Sequence, residues 1–247
     1  MCAETLKVAV TGASGGLGRL LVDRLLGRSA TVFAIDRVFA TPPVGRELRI
    51  EADLSQPQGV RFAVENLDRD TGELDLLVNC AAVFTPDTSG DEAWSNVDFL
   101  LRNNLTSTVL FTLGLENLLC RGSSPSVVNI GSTDGVVASA GQDCEVGVAH
   151  DLFYAMSKGA LITFTRALAM KWAPLGVRVN IVCPTVFASP MTEDLLNQSG
   201  KAEELAMHLP LRRLATSTDI ADAVMGLHAM KFTTGHMLPV DGGYLCL

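Results

Sequence analysis

Two residues four positions apart, Tyr154 and Lys158, have the types and spacing needed for proton transfer. They fall in FYAMSKGALITFTRALAMKWA, a stretch with helical periodicity, and residues four apart lie on one face of a helix. A free tyrosine has a pKa of about 10, so making it a base near about pH 7.5 requires about 3.4 kcal/mol. An ammonium about 4 Å away supplies about 4 kcal/mol at an effective dielectric of about 20. The pair therefore predicts a tyrosine that acts as general acid or base.

Ser132, just past a predicted strand in NIGSTDG, is the candidate partner of this pair. Its hydroxyl would hydrogen-bond the reacting oxygen and orient it toward Tyr154. The alternative is a serine that only stabilises a turn, and Ser139 is the second choice for the role. His150 lies in the long segment before Tyr154, where it would contact the substrate or be a solvated loop residue.

A glycine-rich turn, TGASGGLG, directly follows the first apolar run of the chain. Glycines allow a tight turn and let the backbone approach a pyrophosphate at a helix N-terminus. A flexible turn is the alternative, but the position between a predicted strand and a predicted helix favours a dinucleotide site. The predicted contacts are Thr11, Gly12, Ser14, Gly15, Gly16, Leu17 and Gly18.

Asp36 ends the second predicted strand, where a carboxylate would accept hydrogen bonds from the adenosine ribose. A carboxylate at this place repels a 2′-phosphate, which favours NAD over NADP as the cofactor. The neighbouring Arg37 could hold that phosphate, so NADP stays open as the alternative. A bound nicotinamide next to Tyr154 would give hydride transfer coupled to proton transfer.

The elements that must position these residues alternate along the chain. Apolar, β-branched runs at 6–10, 31–35, 47–52, 74–79, 126–130, 177–182 and 236–240 predict strands, and stretches such as 17–26 predict helices between them. Strands that are apolar on both faces belong to parallel sheets covered by helices. We therefore predict one α/β domain over residues 1–247, a doubly wound parallel sheet of about seven strands with helices on both faces.

A long connection at 185–216 lacks a strand pattern and is rich in Met, Leu and Glu. Such connections in compact domains are often functional covers, so we predict a substrate lid. Phe187 and Met191 make the start of this connection apolar. Most of the segment between Ser132 and Tyr154 is also apolar or small. A pocket of this kind suits a hydrophobic or cyclic secondary alcohol, or the corresponding ketone.

The composition of the chain limits the classes of binding partner. The net charge of -8 opposes binding to nucleic acid or anionic membranes. No apolar run reaches the roughly 20 residues of a membrane span, and the first residues do not resemble a leader, so we expect a cytoplasmic protein. The six cysteines and four histidines lack ligand spacing, which predicts reduced cysteines and no metal.

These motifs together resemble the short-chain dehydrogenase/reductase family, in its single-domain oxidoreductase branch. The matching segments follow the family order: TGASGGLG, Asp53-Leu54, VNCAA at 78–82, Asn104 in NNLTST, Ser132, YAMSK, CPT at 183–185 and DGG at 241–243. The resemblance implies a Rossmann fold and an NAD(H)-dependent alcohol dehydrogenase or ketone reductase. It also implies a homodimer or homotetramer, and the apolar Leu245 and Leu247 at the chain end are expected to be exposed and to favour association.

The family resemblance also implies roles for single residues. Lys158 would hold the nicotinamide ribose, and the backbone of Asn104 would anchor a water leading to it, unless Asn104 is merely a polar residue that bends a helix. Further cofactor contacts would be Asp53, Leu54, Asn79, Ala81, Pro184, Thr185 and Ser189. Thr185 replaces the usual glycine and Ser189 the usual threonine, so the nicotinamide loop should be slightly displaced.

Two other functions remain open. An NADPH-dependent 3-oxoacyl-type reductase would need basic residues near the lid, where Arg212 and Arg213 form the one candidate cluster. A non-catalytic dinucleotide-sensing protein would be expected to lose Tyr154 or Lys158, and the chain has both.

Overall fold

The computed structural model describes residues 5–137 and 152–246, and these residues form one parallel sheet of seven strands in the order β3-β2-β1-β4-β5-β6-β7. Each predicted apolar run contains one strand, so the predicted doubly wound fold is confirmed. The strands are β1 Lys7–Thr11, β2 Thr31–Asp36, β3 Glu47–Glu51, β4 Leu76–Asn79, β5 Ser126–Ile130, β6 Arg178–Pro184 and β7 Met237–Val240.

Helices cover both faces of this sheet. They are α1 Gly16–Leu26, α2 Pro57–Asp70, α3 Glu92–Leu101, α4 Ser107–Gly114, α5 Glu116–Arg121, α6 Leu152–Trp172, α7 Glu193–Leu196, α8 Lys201–Met207 and α9 Ser217–Ala229. Buried side chains of α1 and α9 pack on one face, and those of α2, α4, α5 and α6 on the other. All residues of β4, β5 and β6 are buried, which explains why apolar side chains occur on both faces of these strands.

The order of the strands reverses at β1, which pairs with β2 on one side and with β4 on the other. Because all strands are parallel, their carboxyl ends meet at one edge of the sheet. Thr11, Ile35 and Asn79 stand in register there. In open α/β sheets this switch point is where ligands bind.

Residues Arg102–Thr106 form a π-helical turn between α3 and α4, and Asn104 lies inside it. The predicted exposure of Leu245 is wrong: Leu245 is half-buried, because the Asp241 carboxylate accepts its backbone N–H and that of Gly243. Leu247 lies outside the described residues.

Two kinds of feature are absent from the described part of the chain. No helix there is long and apolar enough to cross a membrane. No group of three or more His, Cys, Asp or Glu side chains in the same residues could hold a metal ion.

His228, near the end of α9, is a buried histidine at the opposite edge of the sheet from the switch point. Its Nδ1 lies 2.7 Å from Oγ of Ser126, the first residue of β5. Burial lowers the pKa of His228 to about 4, and the charges of Lys231 and Arg178 act in the same direction. The ring is therefore neutral in the folded protein well below the usual pKa of histidine.

We expect acid to destabilise the fold through this residue. Between about pH 6.5 and about pH 4.5 unfolded His228 takes up a proton that the buried ring does not, so the free energy of unfolding should fall by about 2 to 3 kcal/mol. Urea unfolding at several pH values measures this slope. His228→Gln should flatten it, whereas His208→Gln, which changes an exposed histidine, should not. An unchanged slope in His228→Gln would contradict the assignment.

Candidate active site

The glycine-rich turn joins β1 to α1 and packs directly on the end of β4. Thr11 Oγ1 accepts hydrogen bonds from the backbone N–H groups of Cys80 and Ala81, both at 3.1 Å. Gly12 has a φ of 65°, and a Cβ atom there would lie 2.8 Å from the Ala81 backbone. Only glycine fits both the conformation and the space, so the two strand ends are held together through position 12.

Helix α1 follows the glycine-rich turn, and the backbone N–H groups of its first turn face that turn. Gly15 is the N-cap of α1 and provides no side chain for its first N–H groups. A Cβ atom at Gly18 would overlap the Gly12 carbonyl, so the first turn of α1 packs against the glycine-rich turn without a gap. Leu17 is buried in the core below it. Uncovered N–H groups at a helix N-terminus bind anions, and this arrangement fits the diphosphate of a dinucleotide.

Asp36, the last residue of β2, faces the same turn. Its Oδ2 accepts the backbone N–H of Ser14 at 2.9 Å, and its Oδ1 accepts that of Arg37 at 2.7 Å. The Ser14 hydroxyl donates to the Val38 carbonyl at 2.6 Å, which ties the loop after β2 to the turn. The guanidinium of Arg37 is exposed and makes no ion pair with another described residue. A carboxylate is thus fixed beside the glycine-rich turn.

Tyr154 and Lys158 lie on one face of α6, as their spacing predicts. Lys158 is only 2% exposed; its Nζ lies 5.6 Å from the centre of the Tyr154 ring and donates to the Ile130 carbonyl at 3.0 Å. Burial lowers the pKa of Lys158 to about 8, so the ammonium form still predominates at neutral pH. The ammonium therefore lies beside the ring, where its positive charge favours the phenolate form of a tyrosine.

Ser132 lies two residues beyond β5, buried, next to an acidic residue that the sequence reasoning did not single out. Its Oγ donates to Oδ2 of Asp134 at 3.0 Å and accepts the backbone N–H of Asp134 at 3.2 Å. The negative charge of Asp134 also opposes the effect of burial on the pKa of Lys158. The pattern STDG could have revealed this carboxylate.

Gly135 sets how closely the Ser132 turn packs on α6. A Cβ atom at Gly135 would lie 2.6 Å from the Lys158 carbonyl carbon. The turn Thr133–Gly135 therefore packs against the backbone of α6 at the lysine. Ser132 and Lys158 are held in one rigid unit.

Asn104 is buried in the π-helical turn and holds the loop after β4. Its Oδ1 accepts the Val83 N–H at 2.8 Å, and its Nδ2 donates to the Val83 carbonyl at 2.9 Å. The same amide lies 3.4 Å from the hydroxyl of Ser157, the residue before the lysine. The side chain of Asn104 thus links this loop to α6. This contact is separate from the predicted role of the Asn104 backbone, which is to anchor a water.

The remaining predicted cofactor residues lie at the same edge of the sheet. The Asn79 amide donates to Thr112 and Asn129 at 2.8 Å each, inside the sheet layer. Asp53 accepts the Ser55 N–H, and Leu54 packs against the core. Thr185, after Pro184, donates to the Val240 carbonyl, and the Ser189 hydroxyl lies 3.1 Å from that of Thr192.

The predicted lid crosses the glycine-rich turn. Pro190 approaches so closely that a Cβ atom at Gly16 would lie 3.0 Å from its Cδ. Phe187 pairs with Ala215 at the base of this segment, and Met191 is exposed. His150 and Ser139 lie outside the described residues.

Sequence reasoning missed two residues of the loop between β4 and α3. The Phe84 ring meets the Tyr154 ring edge to face, with centroids 5.4 Å apart. The Asp87 carboxylate accepts the first two N–H groups of α6, from Leu152 at 2.7 Å and Phe153 at 3.2 Å. No local pattern marks these contacts, because the partners are far apart in the sequence.

Comparisons with known proteins agree with this fold. A family model described as Enoyl-(Acyl carrier protein) reductase matches residues 12–245. The chain is 31% identical to an uncharacterized oxidoreductase of Schizosaccharomyces pombe over 99% of this chain and 93% of that protein. It is 30% identical to the 3-oxoacyl-(acyl-carrier-protein) reductase of Bos taurus over 95% of this chain and 96% of that protein.

A solved structure has the same fold. The short chain dehydrogenase of Leptospira borgpetersenii with bound NAD+ superposes with a TM-score of 0.83 at 28% identity, covering 98% of this chain and 93% of that chain. The fold and the site define a nicotinamide-dependent oxidoreductase of alcohols and ketones. The chain belongs to the short-chain dehydrogenase/reductase family.

Proposed function

We propose that this protein transfers hydride between NAD(H) and a secondary alcohol or its ketone, with Tyr154 as general acid and base. The observation that carries the proposal is the buried Lys158 ammonium beside the Tyr154 ring, on the face of α6 that meets the Ser132 turn. This charge is what a phenol needs to exchange protons near neutral pH.

The cofactor would lie along the carboxyl edge of the sheet. The turn from Thr11 to Gly18 would bind its diphosphate, Asp36 its adenosine ribose and Lys158 its nicotinamide ribose. When bound, a nicotinamide accepts or supplies the hydride at the carbinol carbon. In alcohol oxidation Tyr154 takes the hydroxyl proton, and in ketone reduction it returns that proton, while Ser132 holds the reacting oxygen.

NAD is the proposed cofactor because the Asp36 carboxylate, held beside the glycine-rich turn by the Ser14 N–H, would repel a 2′-phosphate. Arg37 is the residue through which NADP could still bind. Titration with both oxidised cofactors tests this order of affinity, and the absence of saturable binding of either would refute the site.

The proposed substrate is a hydrophobic or cyclic secondary alcohol. Phe84, 38% exposed and edge-on to Tyr154, supports this class because an aromatic wall favours an apolar ring. Phe187 and Met191 add apolar surface from the proposed lid at 185–216. A panel of cyclic alcohols, aliphatic secondary alcohols and polyols, followed at the absorbance band of reduced nicotinamide, tests it. Turnover of polyols alone would reject the proposal.

A 3-oxoacyl-type reductase that uses NADPH is the second candidate, favoured by the similarity to reductases of that name. The basic cluster near the lid that this function would need, Arg212 and Arg213, receives less support. The Arg213 guanidinium is bound to the Asp219 carboxylate at 2.8 Å, and Arg212 donates to the Met207 carbonyl. Reduction of a 3-oxoacyl pantetheine thioester with NADPH, faster than any alcohol oxidation with NAD, would establish this alternative.

The proposed assembly is a homodimer or homotetramer. Its support is the apolar surface on α3, α4 and α6, where Trp94 is 83% and Met170 81% exposed and Leu110 and Leu113 are also exposed. Light scattering on the purified protein tests the mass, and a monomer at micromolar concentration would reject this assembly.

A further inference from the structure

The first turn of α6 carries Tyr154 as its third residue, and this turn is anchored from a distant loop. The first N–H groups of a helix have no partner inside the helix, so a first turn unravels easily unless something accepts them. Here the Asp87 carboxylate accepts both the Leu152 and the Phe153 N–H groups. Its negative charge also suits the positive end of the helix dipole.

The same loop contacts the reactive side chain itself. Phe84, three residues before Asp87, lies against the Tyr154 ring at a centroid distance of 5.4 Å and an interplanar angle of 78°. The loop segment 83–87 therefore holds both the backbone and the ring of the residue proposed to transfer the proton.

This segment is itself fixed at both ends. Asn104 binds both backbone groups of Val83, and Asn96 donates from its amide to the Pro86 carbonyl at 2.7 Å. Thr85 adds a contact to the same Asn96 at 3.2 Å. Because α3 and the π-helical turn set the loop, the loop can set the first turn of α6.

We propose that Asp87 is a positioning residue for proton transfer: it caps α6 so that the Tyr154 hydroxyl is held at the reacting oxygen. This inference rests on the proposed function. In this proposal Asp87 acts through the helix and not by contact with substrate or cofactor. Loss of the cap should reduce kcat, while the affinity for NAD should change little, because its proposed contacts with the turn from Thr11 to Gly18 and with Asp36 lie outside α6.

The test compares Asp87→Ala with Asp87→Asn, which keeps one of the two accepting oxygens and removes the charge. We expect kcat to fall about tenfold to a hundredfold in the alanine variant and to be at least about threefold higher in the asparagine variant than in the alanine variant. The matched control is Asp75→Ala. The Asp75 carboxylate likewise accepts two backbone N–H groups, those of Lys7 and Ser123, at the amino edge of the sheet. Asp75→Ala should lower the melting temperature at least as much and leave kcat unchanged.

Hydrogen exchange of the amides at 152–158 provides a second readout that needs no substrate. Exchange there should accelerate in Asp87→Ala and not in Asp75→Ala. Unchanged exchange, or faster exchange with an unchanged kcat, would overturn the proposal, as would an asparagine variant no more active than the alanine variant. If no alcohol is turned over by the wild-type protein, the proposed function fails, while the exchange result still decides whether Asp87 holds the helix.

Discussion

Tyr154→Phe is expected to lower turnover by about a thousandfold on every substrate that the wild-type protein oxidises. Phenylalanine keeps the ring and its edge-to-face contact with Phe84, and removes only the oxygen. The affinity for NAD should therefore change by less than about threefold. The loss should appear in kcat, because proton transfer belongs to the chemical step and not to binding.

The chain offers a matched control, since its second tyrosine is Tyr244. Tyr244→Phe makes the same chemical change outside α6, in the C-terminal turn Tyr244–Cys246. Initial rates at the absorbance band of reduced nicotinamide, with calorimetric titration of NAD for each protein, measure both effects. If Tyr154→Phe retained more than about a third of the wild-type kcat, Tyr154 would not be the acid or base.

Asp36→Ala should reverse the cofactor order. A ribose hydroxyl bound to a carboxylate is stabilised by about 1.5 to 3 kcal/mol, so kcat/KM with NAD should fall about tenfold to a hundredfold. With NADP it should rise by about the same factor, because a negative charge no longer faces the 2′-phosphate and Arg37 lies next to the vacated space. The fold should persist, since Asp36 is half-buried at a strand end.

Two further variants separate charge from hydrogen bonding. Asp36→Asn keeps an oxygen for the Ser14 N–H, so we expect it to gain activity with NADP while losing less activity with NAD. Glu51→Ala removes the carboxylate in register with Asp36 on β3 and should leave the preference unaltered. A ratio of the two kcat/KM values that is unchanged in Asp36→Ala would show that this carboxylate does not select the cofactor.

The parts of the site that lie within one element could be predicted from the sequence. Tyr154 and Lys158 share a helix face by spacing alone, and the turn from Thr11 to Gly18 sits where a strand meets a helix. The seven strands could be found because the buried strands of a parallel sheet appear as apolar runs in the chain.

Contacts between distant loops could not be predicted in this way. Phe84 and Asp87 reach α6 because Asn104 and Asn96 shape their loop, and no local pattern records that route. The exposure of Leu245 was predicted wrongly for a similar reason, because its apolar side chain does not reveal that the Asp241 carboxylate accepts its backbone N–H.

The contact of Gly135 with the lysine backbone limits how this enzyme can be redesigned. Mutant libraries aimed at new substrates would naturally randomise the residues after Ser132, but any side chain at 135 would push the turn that follows Ser132 away from the backbone of α6. Diversity should therefore begin at Val136, and natural variants with altered specificity should retain glycine at 135 even where the surrounding loop has changed completely.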